Sequence, residues 1–205
     1  MKRIPAVFLL ALFILSASGS AKAQSEAAIE VIRQHYAAIN KNVTLYRRVK
    51  KDLSGYSAEG GELIAYFHGP TIMKIAATFF GETGKTTEEY YYWDGKLIFV
   101  FRREAHYDKP LSGKVVSTIE NRFYFKDDKL IRWIDENGKE VGSSESAEKE
   151  KEYLQSSKEF TDRAPSPNSF ELCKYSFSFS ANSVAPAVTS FPFSSIQRIN
   201  LSSLK

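Results

Sequence analysis

Cysteine is almost absent from this chain: Cys173 is the only one in 205 residues. No intramolecular disulfide can form, and no cysteine-based metal site is available. Histidine is nearly as scarce, with only His35, His68 and His106, which leaves little material for zinc ligation or for a histidine base. No H-E-x-x-H, G-x-S-x-G or P-loop motif occurs, and no cofactor is expected. Carboxylate pairs such as Glu88-Glu89 and Asp127-Asp128 are adjacent, so on a strand their side chains diverge where general acid–base work needs them to converge.

Long apolar runs are missing too. A membrane helix needs about 20 such residues, whereas the run at the start, Ala6 to Leu15, is shorter. It follows Lys2 and Arg3 and precedes Ala21-Lys22-Ala23, the order of a secretory signal peptide over residues 1–23 with an A-x-A cleavage site. The expectation is a periplasmic or secreted protein that begins at Gln24 and has no membrane span. No cysteine near the cleavage site offers lipid attachment. Removing Lys2, Arg3 and Lys22 takes the 28 basic residues to 25, against 24 acidic ones. A near-neutral exported domain gives no support to nucleic acid as a partner.

What is present reads as one domain, residues 24–163. Residues 25–40 form an amphipathic pattern: Ala28, Val31, Ile32, His35, Tyr36 and Ile39 recur at helical spacing, with Ser25 placed as an N-cap. His35 falls on the apolar side, where a packed, hydrogen-bonded core role is expected. From Val43 to Asp135 the chain is rich in Tyr, Phe, Ile and Val, broken at Gly60-Gly61, Gly69-Pro70, Gly81 to Lys85, Asp94-Gly95, Lys109-Pro110 and Asp127-Asp128. A charged stretch, Ser144 to Phe160, fits a second helix. Residues 164–205 hold eleven serines and four prolines with few charges. They read as a disordered tail or as sequence foreign to the fold, such as a shifted reading frame.

A hairpin module repeats within the strand region. Glu89 to Ile98 aligns with Arg122 to Ile131, and Ala65 to Ile72 is a fainter third copy. Asp-Gly between apolar runs signals a two-residue turn with positive φ at both positions. Successive short hairpins make an antiparallel meander, so the expected class is α+β, an N-terminal helix on a curved antiparallel sheet with a possible C-terminal helix.

With regular pairing from the two turns, one face carries Tyr90, Tyr92, Leu97, Phe99, Phe101, Phe123, Phe125, Leu130 and Ile134. The N-terminal helix is expected to cover it. The other face then carries Tyr91, Trp93, Ile98, Val100, Tyr124, Ile131 and Trp133, with Glu89, Lys96, Arg102 and Arg122 among them. That face is too aromatic for an ordinary solvated surface.

The stretch from Gly60 to Val141 resembles a group of secreted bacterial proteins to which no activity is assigned. The likeness rests on Glu59-Gly-Gly-Glu62, Gly81-Glu-Thr-Gly-Lys85, the Tyr-rich Asp-Gly-Lys-Leu hairpin, and Asp135-Glu-Asn-Gly-Lys139. With the helix it covers about residues 25–141, and it implies no catalytic residues. The first helix, Ile29 to Asn40, is also similar to the opening helix of NTF2-like domains, which implies a helix laid on a curved sheet.

Two functions follow as expectations. The first is a non-catalytic binding or interaction domain whose aromatic second face (Tyr91, Trp93, Tyr124, Trp133, Arg102 and Arg122) takes a protein, peptide or glycan partner, since Tyr, Trp and Arg dominate interface hot spots. The same face can instead be covered by the C-terminal helix, by another subunit or by sheet curvature. The second is a small periplasmic hydrolase or metal-dependent enzyme using Glu104, His106 and Asp108, whose alternation puts three possible ligands on one strand face.

Overall fold

The computed structural model describes residues 17–164. The Ser-rich segment from 165 onward, with Cys173, lies outside them, as do residues 1–16 with the apolar run of the expected signal peptide.

Helix α1 (Ala17–Asn42) leads through a 3₁₀ turn (Val43–Leu45) into seven strands. These are β1 (Arg47–Asp52), β2 (Gly61–His68), β3 (Thr71–Gly81), β4 (Gly84–Trp93), β5 (Lys96–Tyr107), β6 (Val115–Lys126) and β7 (Lys129–Ile134). Helix α2 (Ser143–Arg163) follows. The strands pair antiparallel in chain order, so the protein is an α+β meander. α1 starts earlier than the apolar pattern indicates: Ala17 to Ala23 continue it upstream, and Ser25 sits inside the helix, not at its cap. No helix among the described residues is long and apolar enough to cross a membrane.

The turns are built as their residues require. Asp94 and Gly95 have φ of 49° and 74°, and Asp127 and Asp128 have 49° and 58°. Two motif glycines serve close approach instead. A Cβ on Gly84 would stand 2.3 Å from the Ala105 carbonyl oxygen, and one on Gly61 would stand 2.5 Å from that of Thr78. Neighbouring strands can pair there only because no side chain intervenes.

The three hairpin modules share one irregularity. The register shifts between Tyr66 and Phe67, between Tyr91 and Tyr92, and between Tyr124 and Phe125. These are equivalent positions of the repeat. Each shift leaves one unpaired residue on the returning strand, namely Met73, Ile98 and Ile131. At such a bulge two successive side chains point to the same face, and the alternation beyond it is inverted. Ile98 and Phe99 accordingly both lie under α1.

This inversion corrects the expected faces. Phe99, Phe101 and Ile134 join Tyr91 and Tyr124 under α1, whereas Val100 and Trp133 cross to the side of Tyr90 and Phe123. The helices are exchanged as well. α1 covers the Tyr91 face with Ile29, Ile32, Tyr36 and Ile39, and α2 covers the Tyr90 face with Tyr153 and Phe160. Phe123 meets Tyr153 at 4.4 Å between centroids, and Tyr90 meets Phe160 edge-on at 5.4 Å. Both faces of the sheet are therefore core. Burying each large side chain contributes about 1.5–3 kcal/mol, which explains why strands on both sides are so apolar. At the sheet's edge β1 differs: only Val49 of its six residues is buried, and Arg47, Arg48, Lys50 and Lys51 are exposed.

Candidate functional site

The bulges decide where the six expected binding residues go. Tyr91, Trp93, Tyr124 and Arg122 lie on the α1 side, and Trp133 and Arg102 lie across the sheet on the α2 side. The platform is thus divided, and the chain itself covers it. Tyr91 and Tyr124 are buried. Trp93 stacks on His35 at 3.8 Å with planes 7° apart, so His35 is half-buried against an indole, not enclosed in the core. Trp133 packs on Phe123 and donates from Nε1 to Asn121 Oδ1 at 3.0 Å.

A buried polar group fixes α1 on its face. Lys74, only 7% exposed, donates from Nζ to Glu89 Oε1 at 2.7 Å and to Tyr91 Oη at 2.9 Å. Tyr91 Oη donates in turn to Glu89 Oε2 at 2.6 Å and lies 3.1 Å from Asn40 Oδ1 on α1. Burial, reinforced by the Glu89 carboxylate, holds the Tyr91 phenol far above its ordinary pKa. Its hydroxyl therefore stays protonated and keeps donating. A lysine among Ile72, Met73 and Ile75 carries no sequence signal of this role, because its partners come from β4 and from a helix 34 residues away.

Two clefts remain open along α1. The larger, about 540 Å³, lies between the middle of the helix, Gln24 to His35, and the tips of the β4–β5 and β6–β7 hairpins. Ala27, Ala28, Val31 and Ile32 line it from the helix, and Trp93, Leu97, Ile98 and Phe125 line it from the sheet. Its polar groups are few: the His35 ring, the Gln24 side chain, and the rim charges Asp94, Lys96, Lys126 and Asp127. Lys96 and Asp127 pair across the rim at 2.8 Å. The smaller cleft, about 330 Å³, has Arg33 and Tyr36 on one wall and Phe99, Phe101, Arg103, Glu120, Arg122 and Tyr124 on the other. Ile32 belongs to both. Arg103 reaches the Arg122 face only because of the bulge at Ile98, which is why regular alternation singles out Arg102 in its place.

Beneath α2 lies a second buried charge cluster. Tyr90 Oη donates to Glu88 Oε2 at 2.7 Å, and Arg102 Nη2 forms an ion pair with Glu104 Oε1 at 2.9 Å, with Arg102 Nη1 3.8 Å from Glu88. Burial raises the Glu88 carboxyl above its ordinary 4.5 against the lowering pull of Tyr90 and Arg102. Tyr153 is fully buried beside this group; its hydroxyl makes no well-aligned hydrogen bond, though burial raises its phenol against the pull of the nearby Arg102 guanidinium. Of this group only Glu104 touches a surface cleft, while Glu88, Tyr90 and Arg102 pack beneath α2.

The strand end Glu104, His106 and Asp108 does not assemble. Glu104 is held by Arg102, while Asp108 lies beyond β5 in the turn, where it accepts from Ser112 Oγ at 2.6 Å and pairs with Lys114 at 3.4 Å. A surface cleft of about 280 Å³ touches Glu104 and His106 but not Asp108. Among the described residues no group of three or more His, Cys, Asp or Glu side chains is placed to hold a metal ion. No protein-family model matches the chain, and no curated protein or solved structure matches it either.

Proposed function

We propose that this chain is an exported, non-catalytic binding protein that holds a compact apolar molecule in the cleft between α1 and the hairpin tips. The observation that carries the reading is the cleft itself. About 540 Å³ falls within the size range of small-molecule sites, and its walls are aliphatic and aromatic with a few polar groups at the edge. Val31, 48% exposed, stands at its mouth with no core role. Trp93 and Ile98 belong to the aromatic second face, so this cleft is the larger of two parts of that face that the helix leaves accessible. The volume suits a small molecule. The export signal read in residues 1–23 supports a ligand met outside the cytoplasm.

The chain from Gln24 can be titrated with the uncharged probe N-phenyl-1-naphthylamine. Saturable, one-to-one enhancement of probe fluorescence is expected. Val31→Phe should fill the cleft and weaken binding about tenfold, the effect of losing roughly 1.4 kcal/mol, with an unchanged melting temperature. Absence of saturable binding, or equal binding by Val31→Phe, would refute the proposal.

A further inference from the structure

We infer that the smaller cleft, bounded by Arg33, Arg103 and Arg122, is a separate site for a small oxyanion-bearing molecule, one carrying a carboxylate, sulfate or phosphate group. The argument begins with register. Phe101 pairs with Arg122 and Arg103 pairs with Glu120, so two guanidiniums and one carboxylate meet around one ring. Arg103 Cζ stands 5.0 Å from the Phe101 centroid and Arg122 Cζ stands 5.5 Å from it. Arg33 comes from α1 and lies 6.0 Å from the Tyr124 ring. Guanidiniums held against aromatic rings are preorganised, and their remaining N–H groups are available to a planar or tetrahedral oxyanion.

Charge is unbalanced in the same direction. Glu120 accepts Arg103 Nε at 3.1 Å and Arg122 Nη2 at 2.9 Å, so one carboxylate serves two cations. Among the described residues the one carboxylate Arg33 approaches is Glu30, at 3.8 Å, longer than a hydrogen bond. Each guanidinium has five N–H donors, and Glu120 engages one from each of its two partners. Arg103 is about half exposed and Arg122 is 39% exposed at the side chain, so both remain reachable from solvent. A cleft of about 330 Å³ with Tyr36 and Phe101 in its walls favours an anion on a small aromatic or apolar body over a polymer.

The test uses the chain from Gln24 at constant ionic strength, titrated calorimetrically with benzoate, phenyl phosphate and inorganic phosphate, with benzyl alcohol as the uncharged control. Saturable binding of at least one oxyanion and none of benzyl alcohol is expected. Inorganic phosphate binding as well as phenyl phosphate would assign recognition to the anion alone; preference for the aromatic probes would assign part of it to the ring walls. Arg33→Gln lies on an exposed helix position and should leave the melting temperature unchanged. It should weaken binding about tenfold, as loss of one charge-assisted hydrogen bond does. Glu120→Gln removes the competing carboxylate and should tighten binding, an effect that a purely structural ion pair would not give. Val31→Phe, which fills the other cleft, should leave oxyanion binding unchanged. No saturable response, or an equal response in Arg33→Gln and Glu120→Gln, would overturn the inference.

Discussion

Three buried tyrosines offer one chemical change in three environments, removal of a phenolic oxygen. Tyr91 Oη contacts Lys74, Glu89 and Asn40 at 2.9, 2.6 and 3.1 Å. Tyr91→Phe leaves a buried ammonium and a carboxylate each short of a partner, which costs about 1.5–3 kcal/mol for hydrogen bonds to charged groups. Tyr90→Phe removes the donor 2.7 Å from Glu88 and should fall in the same range of about 1.5–3 kcal/mol. Tyr153 is different. Its hydroxyl has only a poorly aligned contact with Arg102, so Tyr153→Phe should change stability by less than about 1 kcal/mol. For a domain near 150 residues each kcal/mol moves the melting temperature by about 2–4 °C. The two losses should therefore read as about 3–12 °C, with Tyr153→Phe shifted by no more than about 2–4 °C. Burial raises the pKa of all three phenols, so a urea titration at neutral pH compares protonated hydroxyls throughout. If Tyr153→Phe lost as much stability as Tyr91→Phe, hydrogen-bond satisfaction would not be what separates these sites.

Phe99→Ala should cost about 3–5 kcal/mol by denaturant titration, since the ring is 5% exposed beneath Tyr36, and a loss below about 1 kcal/mol would contradict its burial. Trp133→Ala should also lower the melting temperature, because its ring packs on Phe123 and its indole N–H is bonded; an unchanged melt would return Trp133 to the surface. The raised Glu88 carboxyl contributes stability that is full below the ordinary 4.5 and is lost as pH rises through its folded value. Across that window Glu88→Gln should lose less stability than the parent, and parallel pH profiles of the urea midpoint would refute this. Asp128→Gly should stabilise by about 0.5–1 kcal/mol, because φ of 58° strains a side-chain-bearing residue that Gly95 replaces in the sister turn; a loss would show that the Asp128 side chain matters.

The meander and both helices were legible because turn chemistry and periodicity are local. Asp94-Gly95 fixes a hairpin by itself, and Ile29, Ile32, Tyr36 and Ile39 mark a helix face. The repeat was visible too, down to the equivalence of Tyr66, Tyr91 and Tyr124. Its bulge was not. Ile98 fits a paired position as well as an unpaired one, so nothing in residue type marks where alternation inverts. That single residue accounts for the misplacement of Phe99, Phe101, Val100 and Arg102, and Ile131 does the same for Trp133 and Ile134. The covering helices could not be assigned because each sheet face is apolar enough to suit either. The small cleft stayed hidden for the same reason, since Arg103 takes its place only once the bulge is known.

The charged edge at β1 has a consequence for growth of the sheet. An outer strand exposes unpaired backbone groups to any strand that can lie alongside. Should two copies bring their β1 strands together antiparallel, Arg47, Arg48, Lys50 and Lys51 of each would face the same set on the other, and like charges directly opposed disfavour pairing. The first strand therefore guards its own edge of the ladder, disfavouring the pairing of β1 with β1 of another copy. That repulsion weakens as salt shortens the Debye length, so concentrated, high-salt solutions are where this guard against fibril-like association is thinnest.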